Sequence, residues 1–161
     1  MNSAAFDEAC LFISTDIERE LALARLNSNN ELDIGLSPGG GNLLAALGLL
    51  CYTEFGGKLR FGHTKADGSD ASRKNFDSFF TLLGPAYSNF AKTCNVYNIF
   101  RCGLAHEYYA KKACTVYMTG SAGTDGIGVD GSGRYFIVVE HYFSALMLQL
   151  QALRSHLFPS P

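Results

Sequence analysis

Two short runs decide the fold: Cys114-Thr-Val-Tyr-Met118 and Arg134-Tyr-Phe-Ile-Val-Val139. Both are rich in β-branched and aromatic side chains, which fit a pleated, half-buried surface better than a helix. Between them lie six glycines and two aspartates, including Asp130-Gly131-Ser132-Gly133, a strong turn signal. The pattern predicts a β-hairpin or short meander over about 114–139. Outside that stretch the apolar residues keep helical spacing.

Working outward, Phe6, Cys10, Ile13, Ile17, Leu21 and Ala24 recur at steps of three and four, one buried stripe of a helix over residues 3–26. A linker follows, polar from Asn27 to Asn30 and ending in Pro38-Gly39-Gly40-Gly41. Asn42 is placed to cap a second helix, apolar nearly all round and running to Phe55, where Gly56-Gly57 stops it. After a polar loop from Phe61 to Ser72, a third helical stretch carries Phe76, Phe79, Phe80 and Leu83. Gly84-Pro85 must break or kink it, because proline lacks the amide donor and clashes with the preceding turn. Helical spacing then resumes through Phe90, Cys94, Tyr97, Arg101, Leu104 and Tyr108. A last helix runs from Glu140 to Leu157 and ends before Pro159. The expectation is a mainly α protein: an antiparallel four-helix bundle with a β insertion before its last helix, one domain over residues 1–161.

The 161 residues are 47% hydrophobic and 17% charged, which excludes a disordered chain. A formal charge of −2 leaves no global basic field to hold nucleic acid, so any such contact needs a local patch or an oligomer. The five cysteines form an odd set without a CxxC pair, which points to buried thiols in a reducing compartment. Asp7 and Glu8 stand where a signal peptide would carry basic residues. The longest apolar run, Leu43 to Tyr52, is about half the roughly 20 residues of a membrane span. A cytoplasmic protein with no membrane partner is expected.

Three places could carry chemistry. Pro38-Gly39-Gly40-Gly41-Asn42 precedes a helix but lacks the Gly-Lys-Ser/Thr of a phosphate loop. His106-Glu107 and Glu140-His141 suggest metal ligands, yet Ala110 stands where a zinc-binding helix would carry its second histidine. His63 and His156 have no partners at ligand spacing, so no metal or other cofactor is expected. The third is residues 97–112, Tyr-Asn-Ile-Phe-Arg-Cys-Gly-Leu-Ala-His-Glu-Tyr-Tyr-Ala-Lys-Lys. On a continuous helix Arg101 and Tyr108 share a face, whereas His106 lies roughly 140° around from Arg101. Arg101 and His106 can converge if the helix bends near Gly103, if Arg101 uses its length, or if a second subunit contributes. An arginine can stabilise charge developing on a phosphoryl group, and a histidine can move the proton of a 2′-hydroxyl or a leaving oxygen.

The phrase Phe100-Arg-Cys-Gly-Leu-Ala-His-Glu-Tyr108, an Arg-x4-His-x-Tyr motif late in a helix of a bundle, resembles the signature of the HEPN (higher eukaryotes and prokaryotes nucleotide-binding) superfamily. The resemblance is carried by residues 72–112. It implies a metal-independent endoribonuclease acting on RNA, with a composite site at a homodimer cleft, as in toxins and phage-defence effectors. It assigns catalysis to Arg101 and His106, with Tyr108, Cys102 and Glu107 as accessory residues. Cys102 stands where many members carry Asn or Asp. Doubled by a two-fold axis, Lys111 and Lys112 would bind RNA. A nucleotidyltransferase-like antitoxin is the further partner it suggests. The alternative is a non-catalytic HEPN-like module that binds a nucleotide, RNA or a protein. A structural reading is also open, in which Arg101 pairs with Glu107 or Glu54 while His106 caps or packs.

Overall fold

The computed structural model describes residues 1–28, 42–107, 114–118 and 126–159, with the side chains of residues 26–28 excepted. Helix α1 spans Ser3–Ser28. It begins where the Asn2 side chain accepts the Ala5 amide at 2.9 Å, an N-cap that satisfies one orphan donor. Of the expected stripe, Phe6, Ile13, Ile17, Leu21 and Ala24 are buried, and Cys10 is half-buried against the same core.

Helix α2, Asn42–Phe61, is a correction. It does not stop at Gly56-Gly57 but runs a further turn and more. Both glycines are buried against helix α3, Ser72–Phe80. A Cβ on Gly57 would fall 2.0 Å from the Asn75 carbonyl oxygen, and one on Gly56 2.6 Å from the Phe79 ring. The pair lets two backbones approach, and the packing gained outweighs a helix-propensity cost of about 1 kcal/mol per glycine.

A 3₁₀ turn, Thr81–Leu83, ends α3. Gly84 then takes φ +139°, open to glycine alone among common residues, and Pro85 opens helix α4, Pro85–Thr93, at its first position. The helix expected from Phe90 through Tyr108 is not continuous. Cys94 is extended (φ −122°, ψ 126°), and the chain re-enters helix as a π-helical turn, Tyr97–Arg101, that leads into α5, Cys102–Glu107.

Strands β1, Thr115–Tyr117, β2, Ile127–Val129, and β3, Tyr135–Val138, form a sheet ordered β1-β3-β2. Both runs singled out in the sequence are strands, but they pair with each other in parallel, Val116 opposite Ile137. The antiparallel hairpin is β2–β3, Gly128 opposite Phe136, so neither a 114–139 hairpin nor a meander describes the insertion. Asp130 closes the hairpin by accepting the Ser132 and Arg134 amides at 2.9 and 3.0 Å. Helix α6 is Val139–Leu157. The result is a mainly α fold with a three-stranded sheet before the last helix.

Helix α2 is central and packs against α1, α3 and α6. Ala45, Ala46, Leu49 and Leu50 are fully buried in one cluster with Phe76, Phe79, Phe80, Tyr87 and Tyr142. One polar link crosses it. Thr53 donates to the Leu49 carbonyl at 2.9 Å and so accepts from the Tyr142 hydroxyl at 2.6 Å. Asn42 ties α2 to the sheet by donating its side-chain amide to the Val116 carbonyl at 3.1 Å. Among the described residues no helix is long and apolar enough to cross a membrane.

Candidate functional site

The segment that carries the motif is held from its start by Asn95. Its carbonyl accepts the Ile99 amide at 2.9 Å and its side chain the Asn98 amide at 3.2 Å. The Cys102 amide then bonds the Tyr97 carbonyl five residues back, the widened spacing that defines a π turn and is frequent at functional sites. The consequence is placement: Ile99, Phe100, Gly103 and Leu104 are buried, and Arg101 turns toward α2.

Arg101 is half-buried and donates from Nε to Oε2 of Glu54 at 3.2 Å. Its guanidinium lies 5.8 Å from the centre of the Tyr97 ring, which itself meets Phe76 edge-on at 5.4 Å. Burial opposes the arginine's charge, but Cys51, Glu54 and Tyr97 beside it outweigh burial and hold its pKa above the ordinary value. Burial likewise pushes up the Cys51 thiol and the Tyr97 phenol.

Arg101, Glu54 and Cys51 line a cleft of about 270 Å³ with Lys58, Asp70 and Asn75. Lys58 and Asp70 form an ion pair across its rim. Buried Asn75 fixes the adjoining loop, accepting the His63 amide at 2.8 Å and donating to the His63 carbonyl at 3.1 Å. The cleft therefore presents two cations, two carboxylates and a thiol, a polar setting suited to an anionic ligand that exchanges partners with the carboxylates.

His106 and Glu107 are exposed on α5, and Cys102 is half-buried at its start. The structure does not bring His106 to Arg101. The segment stays helical through Gly103, and the length of Arg101 is used in reaching Glu54. Tyr108, Lys111 and Lys112 lie outside the described residues, as does the Pro38–Gly41 segment.

The other histidines serve elsewhere. His63 stacks on Phe61 at 5.5 Å, and His156 hydrogen-bonds Arg60. Glu140 lies 3.6 Å from Arg25. Among the described residues no three metal-ligating side chains cluster. Glu54 was legible in the sequence as one acidic partner open to Arg101. Cys51, Lys58, Asp70, Asn75 and Tyr97 were not. Only Glu54 and Lys58, an i,i+4 pair on α2, carried a local signal.

No family model, curated protein or solved structure matches the chain.

Proposed function

We propose that the protein is a metal-independent endoribonuclease of the HEPN type, with α1, α2, the α3–α4 arm and α6 as an antiparallel four-helix bundle and the active site completed across a homodimer. The observation that carries this reading is the divergence of Arg101 and His106 on one short helical segment. Arg101 lines a polar cleft against α2, and His106 faces outward. Facing copies of α5 would set the His106 of one protomer toward the Arg101 cleft of the other. Phosphodiester cleavage then has its two requirements: a cation for the phosphoryl oxygens and a group that moves the 2′-hydroxyl proton. A cytoplasmic toxin or phage-defence effector, held by a nucleotidyltransferase-like antitoxin, is the setting this chemistry suits.

The test is incubation of the pure protein with several single-stranded RNAs in EDTA. Cleavage that persists under chelation and vanishes in His106→Ala supports the reading, and absence of cleavage from all of them overturns it. The Arg101–Glu54 ion pair favours a second reading, a non-catalytic module, because it already neutralises the cation. Glu54→Gln separates the two: it should raise cleavage or leave it intact in an enzyme, and alter only binding in a module.

A further inference from the structure

We propose that single-stranded RNA reaches Arg101 along a basic track that follows α3. This rests on the nuclease reading for the choice of RNA; the track itself stands on charge and shape. Three clefts run into one another. The first, of about 570 Å³, lies between α3 and the α4 end and includes Lys92. It shares Arg73 and Asp77 with a second, of about 590 Å³, which adds Lys65, Lys74 and Tyr97. The second shares Asp70 and Ser72 with the Arg101 cleft.

Six of the chain's thirteen basic residues line this path: Lys92, Arg73, Lys74, Lys65, Lys58 and Arg101. Its three carboxylates are each matched to a cation, Asp77 with Arg73, Asp70 with Lys58 and Glu54 with Arg101. Lys65, Lys74 and Lys92 are exposed and make no ion pair among the described residues. They form the uncompensated positive charge. The segregation extends to the whole chain: residues 58–101 hold seven basic side chains against three acidic, while α1 holds Asp7, Glu8, Asp16, Glu18 and Glu20 against Arg19 and Arg25. An acidic protein with one basic edge concentrates a polyanion on that edge.

The path is a chain of clefts rather than a flat face, so it admits a flexible strand whose phosphates can follow it. At its junction with the Arg101 cleft stands Tyr97, half-buried beside the guanidinium. An aromatic ring interleaved with cations is the usual means of holding unpaired bases without reading their sequence. A duplex offers no unpaired base to that ring.

Fluorescence anisotropy with labelled oligouridine, in the His106→Ala background that blocks cleavage, tests the track. The Lys65→Gln/Lys74→Gln/Lys92→Gln variant should bind about tenfold or more weakly. Its log-affinity against log-salt slope should fall by about two, at roughly 0.7 per lost phosphate contact. Arg19→Gln/Arg25→Gln on α1 should change neither. Circular dichroism confirms folding, and the single Lys65→Gln and Lys74→Gln variants should each show part of the loss if the triple variant is unstable. Unchanged binding in the triple variant overturns the track while the cleavage assay still decides the nuclease reading. Binding lost as expected, with no cleavage by the wild-type protein in EDTA, keeps the track and removes the nuclease. Failure of the parent to bind oligouridine, or equal binding of duplex RNA through the same lysines, also overturns it.

Discussion

At the level of single residues, His106 and Arg101 are expected to fail differently. His106 is exposed, so His106→Ala should leave the thermal midpoint near that of the parent and slow RNA cleavage about 10²–10⁴-fold, the range of general acid–base catalysis. Arg101→Ala should also slow cleavage, and it should cost about 1 kcal/mol of stability by leaving half-buried Glu54 without its partner. Arg101→Lys should be impaired too, since an ammonium cannot reproduce the planar fork. Loss of stability with cleavage unchanged would make the arginine structural. A second contrast lies in the core. Thr53→Val strands the buried Tyr142 hydroxyl and should cost about 1–3 kcal/mol in urea unfolding. Adding Tyr142→Phe should recover part of that loss, because no unsatisfied donor then remains.

Among the elements, the meeting of α2 and α3 is the least forgiving. Gly57→Ala would push a methyl into the Asn75 backbone, where neither partner can yield. The expected loss is about 3 kcal/mol or more. Gly48→Ala meets the terminal methyl of Ile17 at 2.9 Å and the Tyr52 ring at an ordinary 3.6 Å and should be tolerated, a comparison that thermal melts resolve. The same glycines explain what the sequence concealed. Helices α1 and α6 were legible because each keeps one apolar stripe throughout. Gly56-Gly57 has the local signature of a helix stop, and only the arrival of α3 makes it an interior contact. The π turn at Tyr97–Arg101 inserts a register change that no periodicity announces, and it redirects Arg101 to Glu54. Strand identity was legible from composition. Strand partners were not, because β2 takes the antiparallel side of β3 and leaves β1 the parallel one.

For the molecule as a whole, alkaline pH should be the sharper limit on stability. Burial holds the Tyr87 and Tyr142 phenols well above their ordinary range, Tyr142 despite its bond to Thr53. Folded pKa values above unfolded ones make this stabilisation complete below about pH 10 and lost as pH rises through the raised values. Stability should fall by about 2.7 kcal/mol per pH unit above pH 10 for the two together. Tyrosinate absorbance should show two of the eight tyrosines ionising only as the chain unfolds. Association is the other global expectation. Leu11 and Phe12 on α1 and Leu44 on α2 are exposed, apolar surface that packing within one chain leaves uncovered. Light scattering should report a dimer at micromolar concentration; a strict monomer removes the composite site.

The order β1-β3-β2 also has a temporal side. The β2–β3 hairpin closes across a few residues, and the Asp130 turn organises it locally. Strand β1 has no partner until β3 exists, although it leaves the ribosome first, and its pairing spans some twenty residues of chain. Contacts of larger sequence separation form later because loop closure must precede them. The motif helix α5 precedes this late-docking strand in the chain. Pulse-labelled hydrogen exchange should therefore protect the Ile137 amide region before Val116, with the Arg101 segment reaching its final protection only when β1 has docked.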